Sequence, residues 1–353
     1  MLYNNIVTAA NSAGLSDVVE RIFQKGMSNL LKFFKAGASF DFKRTLWFVL
    51  KYGISAACLF YVFRDVPMAD LSAALKHYPI PPIFATIAVS FAAYSVMGLR
   101  LSYMTDPPLS FRSTFCGTLV GLAVNNVLPA KAGEIAKAMW IGLGNGVSSQ
   151  KTIGIVFMER FFDVNVLALL SFWFLWTLGE RGIVAVFVTC LALGWCVLTI
   201  FRKNQVLAER FVGLFGKGRM GVFVSQALSG VLDNMSPGRL VWLSITSSTS
   251  WSLYMAQMFL CLNVVAGLGL GWDGVLSVFA VSGLSMLLPS SPGAIGVYEA
   301  FMVTLLKRYG VEPDAALAIA LISHMIQFIP VTLAGGLIFA AFPAKRPSPD
   351  AGS

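Results

Sequence analysis

The chain of 353 residues is 57% hydrophobic and only 12% charged, with a mean hydropathy of +0.74. Because soluble domains carry about 25% charged residues, this composition excludes an ordinary soluble protein. Membrane topology and anionic lipid headgroups explain the formal net charge of +9 better than nucleic acid does, so no nucleic-acid partner is expected.

Residues 1–43 predict a basic amphipathic segment ahead of the apolar part of the chain. Between residues 15 and 34, apolar side chains recur at i, i+3 and i+4 spacing, with Arg21, Lys25 and Lys32 between them. This pattern is typical of a helix that lies in the plane of a membrane surface. A helix that binds a partner protein is the alternative interpretation.

Long apolar runs predict an all-α polytopic membrane protein, whose membrane domain covers residues 44–342. A helix needs about 20 apolar residues to span a bilayer. We predict about six full spans plus two broken helices; the spans fall at 45–63, 80–104, 151–178, 182–201, 239–266 and 314–342. Residues 343–353 are polar and rich in proline, which predicts a disordered tail.

The two broken helices, 110–143 and 273–308, contain related sequences. LPAKAGEI (128–135) aligns without a gap with LPSSPGAI (288–295), which indicates an internal repeat. We interpret each broken segment as a re-entrant hairpin of two half-helices. The predicted breakers are Pro129, Gly133, Pro289, Pro292, Gly293 and Gly296.

Each repeat unit then consists of a span, a hairpin and a span, over residues 80–178 and 239–342. The single extra span between the units, 182–201, predicts that they enter the membrane from opposite faces, as inverted repeats. Lysine and arginine are concentrated in the segments that are cytoplasmic if the N-terminus is inside. We therefore predict a multi-pass protein of the plasma (inner) membrane with both termini in the cytoplasm.

Charged residues at membrane depth predict a binding site. Glu159, Arg160 and Asp163 lie inside a span, where each ionised group costs about 2.5–3.5 kcal/mol on insertion scales. We expect Arg160 to pair with Glu134 or Asp163, and Lys131 to face a cavity at the hairpin tip, where half-helix N–H groups attract anions. The predicted substrate-binding residues are Asn126, Lys131, Glu134, Glu159, Arg160, Asp163, Glu299 and His324.

Two alternatives remain open for these residues. The charged side chains could form a purely architectural ion network, and His324 could simply donate to a backbone carbonyl. Arg100 and Lys51, near span ends, are expected to extend towards lipid headgroups.

Motifs for catalysis are absent from the sequence. It contains no GxSxG, HExxH or P-loop, and its two histidines do not cluster with cysteine. We predict no enzymatic activity, no catalytic residues, no cofactor and no metal site. The five cysteines have no metal or disulfide spacing and are predicted to be small core residues.

Three motifs carry a family resemblance: NNVLPAKAGEIAKA (125–138), ERFFDV (159–164) and PGAIGVYEA (292–300). They resemble the lysylphosphatidylglycerol synthase transmembrane-region, or flippase-like, family of integral membrane proteins, over roughly residues 45–342. The resemblance implies re-entrant helices and movement of lipids between leaflets. The functional set that it implies is Asn126, Pro129, Gly133, Glu134, Glu159, Arg160, Asp163, Pro292, Gly293, Gly296 and Glu299.

The chain departs from the family pattern in two ways. The family usually has arginine at the positions of Lys131 and Lys137, and lysine keeps the charge but loses bidentate phosphate recognition. No aminoacyl-transferase domain follows residue 342, so synthesis of lysylphosphatidylglycerol is not expected.

The leading functional hypothesis is a lipid flippase for an anionic phospholipid or a polyprenyl-phosphate-type lipid. Two other classes remain. One is a membrane scaffold that partners a glycosyltransferase or a lipid-modifying enzyme, and the other is a transporter of small solutes.

Overall fold

The computed structural model describes residues 42–341, except 65, 70, 72–77, 129–131, 178, 180, 217 and 286–289. This part of the chain is helical, with short connections and no strand. The predicted amphipathic N-terminal helix and the predicted disordered tail lie outside the described residues, as do Lys131, Pro129 and Pro289.

Twelve α-helices are described. They are α1 (Phe42–Phe63), α2 (Ile80–Met104), α3 (Phe111–Val127), α4 (Ala132–Asn145), α5 (Ser149–Thr177), α6 (Arg181–Lys203), α7 (Gln205–Gly213), α8 (Arg219–Leu232), α9 (Pro237–Phe259), α10 (Trp272–Ser285), α11 (Val297–Arg308) and α12 (Pro313–Ala341). A π-helical turn, Leu260–Val265, extends α9.

A helix occupies each of the six predicted spans: α1, α2, α5, α6, α9 and α12. Within the described chain, α2, α6 and α12 are both long and apolar enough to cross a membrane by themselves. The middle of α5 carries charged residues, and α9 carries many hydroxyl side chains, which lowers the apolarity of both helices. The all-helical prediction is confirmed, whereas the number of spans stays a prediction.

Both broken segments are interrupted, but the prediction that Gly133 is a breaker is wrong, because Gly133 lies inside α4 and packs against α3. Helix α3 ends at Val127 and α4 begins at Ala132, while α10 ends at Ser285 and α11 begins at Val297. The two helices of each segment pack against each other, so each segment is a helical hairpin. Gly293 and Gly296 have φ angles of 67° and 87°, a left-handed backbone that glycine adopts without strain.

The tips of the two hairpins meet the same long helix. A short 3-10 turn, Pro292–Ala294, contacts α3, and Gly293 lies against Phe328 of α12. At the end of α3, Asn126 donates from Nδ2 to the hydroxyl of Thr332, also on α12, over 2.8 Å. The first hairpin packs further against α5, and α2 packs against α9, α3 and α5. Helices α2, α5 and α9 therefore converge beside the first hairpin.

The cysteine prediction is wrong for two residues. Cys190 and Cys196 are exposed on α6, whereas Cys261 is buried. Helix α6 buries only Val184 and Leu198, because it packs chiefly on α5 and leaves its other faces uncovered. An apolar helix in a membrane protein can expose such residues to lipid, so apolar surroundings in the sequence did not imply a core position.

We predict that Gly133→Ala destabilises the first hairpin. A Cβ at Gly133 would lie 1.9 Å from the carbonyl oxygen of Gly121 and 2.6 Å from the side chain of Asn125, so α3 and α4 would have to separate. Such overpacking typically lowers the free energy of unfolding by about 1–3 kcal/mol. Thermal unfolding in detergent measures the change.

Gly144→Ala, on the same helix, is the matched control. A Cβ there meets nothing within 4 Å, and alanine favours a helix over glycine by about 0.5–1 kcal/mol. Gly144→Ala should therefore be neutral or stabilising. Equal unfolding temperatures for the two variants would contradict the close helix contact.

The inverted-repeat prediction concerns the side from which each tip is reached. We expect single cysteines at Ala130 and Ser291 to react with membrane-impermeant maleimides from opposite sides, in a background without native cysteines. Labelling in intact cells and in inverted vesicles gives the measurement. Reaction of both positions from the same side would exclude inverted repeats.

Candidate functional site

A network of ionised side chains lies beside the first hairpin. Three helices contribute to it: α2 gives one residue, α4 two and α5 three. Its members are Arg100, Glu134, Lys137, Glu159, Arg160 and Asp163. Three cations face three carboxylates, so the formal charge of the network is zero.

Arg100 lies at the centre of this network and is fully buried. Its Nη1 donates to Oδ1 of Asp163 over 2.7 Å, and its Nη2 donates to Oε1 of Glu159 over 2.6 Å. Nη1 also donates to the hydroxyl of Ser247 on α9, over 2.6 Å. The prediction that Arg100 extends to headgroups is therefore wrong. Two carboxylates one helical turn apart on α5 bind the guanidinium inside the protein instead.

A sequence signal for this position existed. Arg100 shares the helical period of Ser90, Ala93, Met97 and Met104, all of which are buried on α2. That period places it on the inner face of the helix. The side chain of Lys51 lies outside the described residues, so its predicted orientation stays a prediction.

Lys137 is a network member that the sequence prediction left out. Its Nζ lies 2.5 Å from Oε2 of Glu159, and its side chain is 2% exposed. Since Arg100 takes Oε1 and Lys137 takes Oε2, both oxygens of Glu159 have cationic partners. The observable signal was its place four residues after Gly133, on the face of α4 that packs against α3.

Arg160 and Glu134 form the accessible edge of the network. Nε of Arg160 lies 3.0 Å from Oε1 of Glu134, and Nη1 lies 3.0 Å from Oδ2 of Asp163. Arg160 thus contacts both of the carboxylates predicted as its alternative partners, Glu134 and Asp163. The side chains of Arg160 and Glu134 are 35% and 22% exposed, against 8% or less for the other four members. Water or a ligand can reach the exposed parts of these two side chains, although Nε of Arg160 and Oε2 of Glu134 are themselves buried; the rest of the network is closed.

The break in the first hairpin positions Glu134. It lies in the first turn of α4, where the helix dipole favours a negative charge. Asn125 at the end of α3 joins the two halves: Oδ1 accepts from the backbone N–H of Gly133 over 2.8 Å, and Nδ2 donates to Oε1 of Glu134 over 3.1 Å.

The second unit has its own buried acid–base pair. Oε1 of Glu299 lies 2.5 Å from Nδ1 of His324, and Oε2 accepts from the backbone N–H of Gly296 over 2.7 Å. Nδ1 of His324 therefore faces a carboxylate rather than a backbone carbonyl. In each unit an acid in the half-helix after the break contacts a basic residue of the following long helix, in agreement with an internal repeat.

The eight predicted binding residues do not form a single group. Glu134, Glu159, Arg160 and Asp163 belong to the network. The pair of Glu299 and His324 is separate from it, Asn126 attaches α3 to α12, and Lys131 lies outside the described residues. A cleft between α5 and α6 is lined by apolar side chains and Ser171. It offers no charged ligand for a headgroup.

These features define a polytopic helical membrane protein with a charged site beside a broken helix. Residues 48–335 match the family of the lysylphosphatidylglycerol synthase transmembrane region, and the chain belongs to that family. The resemblance seen in the three sequence motifs is thereby confirmed.

Curated relatives cover most of the chain. It is 23% identical to a UPF0104 membrane protein of Methanothermobacter thermautotrophicus, over 85% of this chain and 94% of that protein. It is 26% identical to a UPF0104 membrane protein of Methanocaldococcus jannaschii, over 61% of this chain and 92% of that protein. It is 25% identical to the glycosyltransferase AglD of Haloferax volcanii, over 60% of this chain and 40% of that protein.

Proposed function

We propose that this protein moves an anionic phospholipid or a polyprenyl-phosphate-type lipid between the leaflets of the plasma (inner) membrane. It does so without enzymatic chemistry, with both termini in the cytoplasm. The observation that carries the proposal is the partly exposed Arg160 at the edge of a neutral, otherwise closed ion network.

The chemistry of Arg160 suits a phosphate. A guanidinium can donate two parallel hydrogen bonds to phosphate oxygens, and such charge-assisted bonds are about twice as strong as neutral ones. Arg100 and Lys137 cannot take this role in the same conformation because they are buried on carboxylates. Arg160 is therefore the network cation that a headgroup can reach, and the acyl chains would stay in the bilayer.

The relatives support a lipid-related role. The name of the family refers to a synthase of a modified phospholipid. The match to AglD covers 40% of that protein, so the shared region is one part of a larger glycosyltransferase. A membrane scaffold that accompanies a glycosyltransferase or lipid-modifying enzyme is thus the second candidate function.

Reconstitution separates the candidates. Full-length protein is placed in phosphatidylcholine vesicles with a trace of fluorescent phosphatidylglycerol, a fluorescent polyprenyl phosphate or fluorescent phosphatidylcholine, and dithionite bleaches the outer leaflet. We expect at least tenfold faster movement of one of the anionic lipids than in protein-free vesicles, and little movement of phosphatidylcholine. No movement of either anionic lipid would contradict the proposal and favour the scaffold. Release of an enclosed small solute would favour a solute transporter.

A further inference from the structure

We infer that the carboxylate of Glu134 occupies the phosphate position on Arg160 in this conformation, and that the lipid phosphate binds by displacing it. The inference rests on the proposed function, since it concerns the same site. It assigns Glu134 the role of an internal competitor instead of a ligand for the lipid.

Glu134 is the most weakly held of the three network carboxylates. Both oxygens of Glu159 have cationic partners, and Asp163 contacts Arg100, Arg160 and the indole N–H of Trp251. By contrast, only Oε1 of Glu134 is held, by Arg160 and Asn125. Its Oε2 is buried and has no hydrogen-bond partner among the described residues.

The exposure of the side chains also points to Glu134. Its side chain is 22% exposed, against 8% for Asp163 and 0% for Glu159. If Glu134 leaves the network, water at this edge can hydrate its carboxylate. A buried carboxylate that left its cationic partners would keep its charge without hydration, which costs free energy. Glu134 can therefore withdraw at the lowest cost.

Charge balance favours the departure of one anion when a phosphate binds. The network holds three cations and three carboxylates, so a phosphate monoanion added to the intact network would give it a net charge of −1. That excess charge would lie close to three carboxylates, two of which are buried, and like charges at short range repel. Exchange of one anion for another on Arg160 keeps the network neutral.

The second hairpin contains a carboxylate that is held more firmly than that of Glu134. Both oxygens of Glu299 are held, by His324 and by the N–H of Gly296, and its side chain is 3% exposed. The geometry therefore assigns displacement to the first unit, where the acid is held through one oxygen.

Binding measurements on detergent-purified, full-length protein test this inference. Isothermal titration uses dihexanoyl phosphatidylglycerol, with inorganic phosphate and dihexanoyl phosphatidylcholine as parallel probes. Glu134→Gln removes the competing charge at constant shape and should bind the phosphatidylglycerol at least tenfold more tightly than wild type. Arg160→Ala should bind it at least tenfold more weakly. The double variant should bind as weakly as Arg160→Ala. The gain in affinity from Glu134→Gln requires the guanidinium of Arg160, freed from its carboxylate partner.

Two further variants keep the comparison interpretable. Glu134→Asp keeps the charge but is one methylene shorter, so it should also bind the phosphatidylglycerol more tightly than wild type. It replaces Glu134→Gln in the comparison if Glu134→Gln unfolds at a lower temperature than wild type. Glu209→Gln, which neutralises an exposed acid on α7, should leave affinity unchanged. If Glu134→Gln also binds inorganic phosphate more tightly than wild type, the position vacated on Arg160 recognises the phosphate group alone. If only the phosphatidylglycerol binds more tightly, that position recognises the whole headgroup.

The outcomes separate the inference from the function on which it rests. If Arg160→Ala loses affinity but both Glu134 variants bind as wild type or more weakly, Glu134 is not a competitor and the inference is overturned while the function stands. If Arg160→Ala binds both anionic probes as well as wild type does, Arg160 is not the phosphate ligand and the inference is overturned. The function itself is overturned by the vesicle assay, if neither anionic lipid moves.

Discussion

Arg160→Ala should reduce the protein-dependent movement of anionic lipid to the protein-free rate while the protein remains folded in the membrane. The guanidinium is the network cation that a headgroup can reach, and alanine removes both its charge and its paired donors. The measurement is the dithionite assay in vesicles, together with gel filtration and thermal unfolding to show that the variant is folded.

Two controls define the cause of the loss. Arg160→Lys keeps the charge but not the paired donors, so it should retain part of the activity. Arg202→Ala, which removes an exposed cation at the end of α6, should move lipid as wild type does. Wild-type movement by Arg160→Ala would exclude Arg160 from the transport site.

Glu134→Gln should also stop lipid movement, but for the opposite reason. Without the competing carboxylate, the headgroup would be held more tightly and released more slowly. The two variants would then be equally inactive in vesicles yet differ in affinity. Normal transport by Glu134→Gln would show that its carboxylate has no part in the cycle.

Arg100→Met should lower the free energy of unfolding by about 3–5 kcal/mol, the range found when one partner of a buried ion pair is removed. Methionine fills part of the volume, but Glu159 and Asp163 each lose a cationic partner in the interior. Equilibrium unfolding in mixed detergent–denaturant micelles, followed by circular dichroism, measures the change.

Neutralising a facing acid should restore part of that stability. In Arg100→Met combined with Asp163→Asn, a buried carboxylate that has lost one of its two cationic partners is replaced by an amide and the network is neutral again, so the double variant should be more stable than Arg100→Met alone. Arg202→Met at an exposed position should change stability by no more than about 0.5 kcal/mol. Equal stability of Arg100→Met and wild type would show that the buried pairs contribute no net stabilisation.

The variants of Arg160 and Glu134 test a role in transport, whereas those of Arg100 test a role in stability. Arg100, Lys137 and Glu159 are closed off from solvent and hold α2, α4 and α5 together. The side chains of Arg160 and Glu134 are partly exposed, and we expect them to exchange partners. We therefore propose that the architectural interpretation applies to Arg100, Lys137 and Glu159, and the functional one to Arg160 and Glu134.

The sequence by itself determined the helices and the places where they break. Apolar runs of about 20 residues and proline–glycine pairs are local signals, because span length and backbone conformation depend on the residues of the segment itself. Helices at all six predicted spans, the interruptions after Val127 and Ser285, and the left-handed Gly293 and Gly296 follow from such signals. The contact of Arg160 with Asp163 was foreseeable for the same reason, since the two lie one turn apart on α5.

Only the tertiary structure decided which charges face one another across helices. The partners of Arg100 lie 59 and 63 residues further along the chain, and the partner of Lys137 lies 22 residues away. Spacing along one helix specifies a face, but the neighbour of that face depends on how the helices pack. Arg100 was therefore assigned to headgroups and Lys137 left out of the site, although both are buried because carboxylates on α5 lie opposite them.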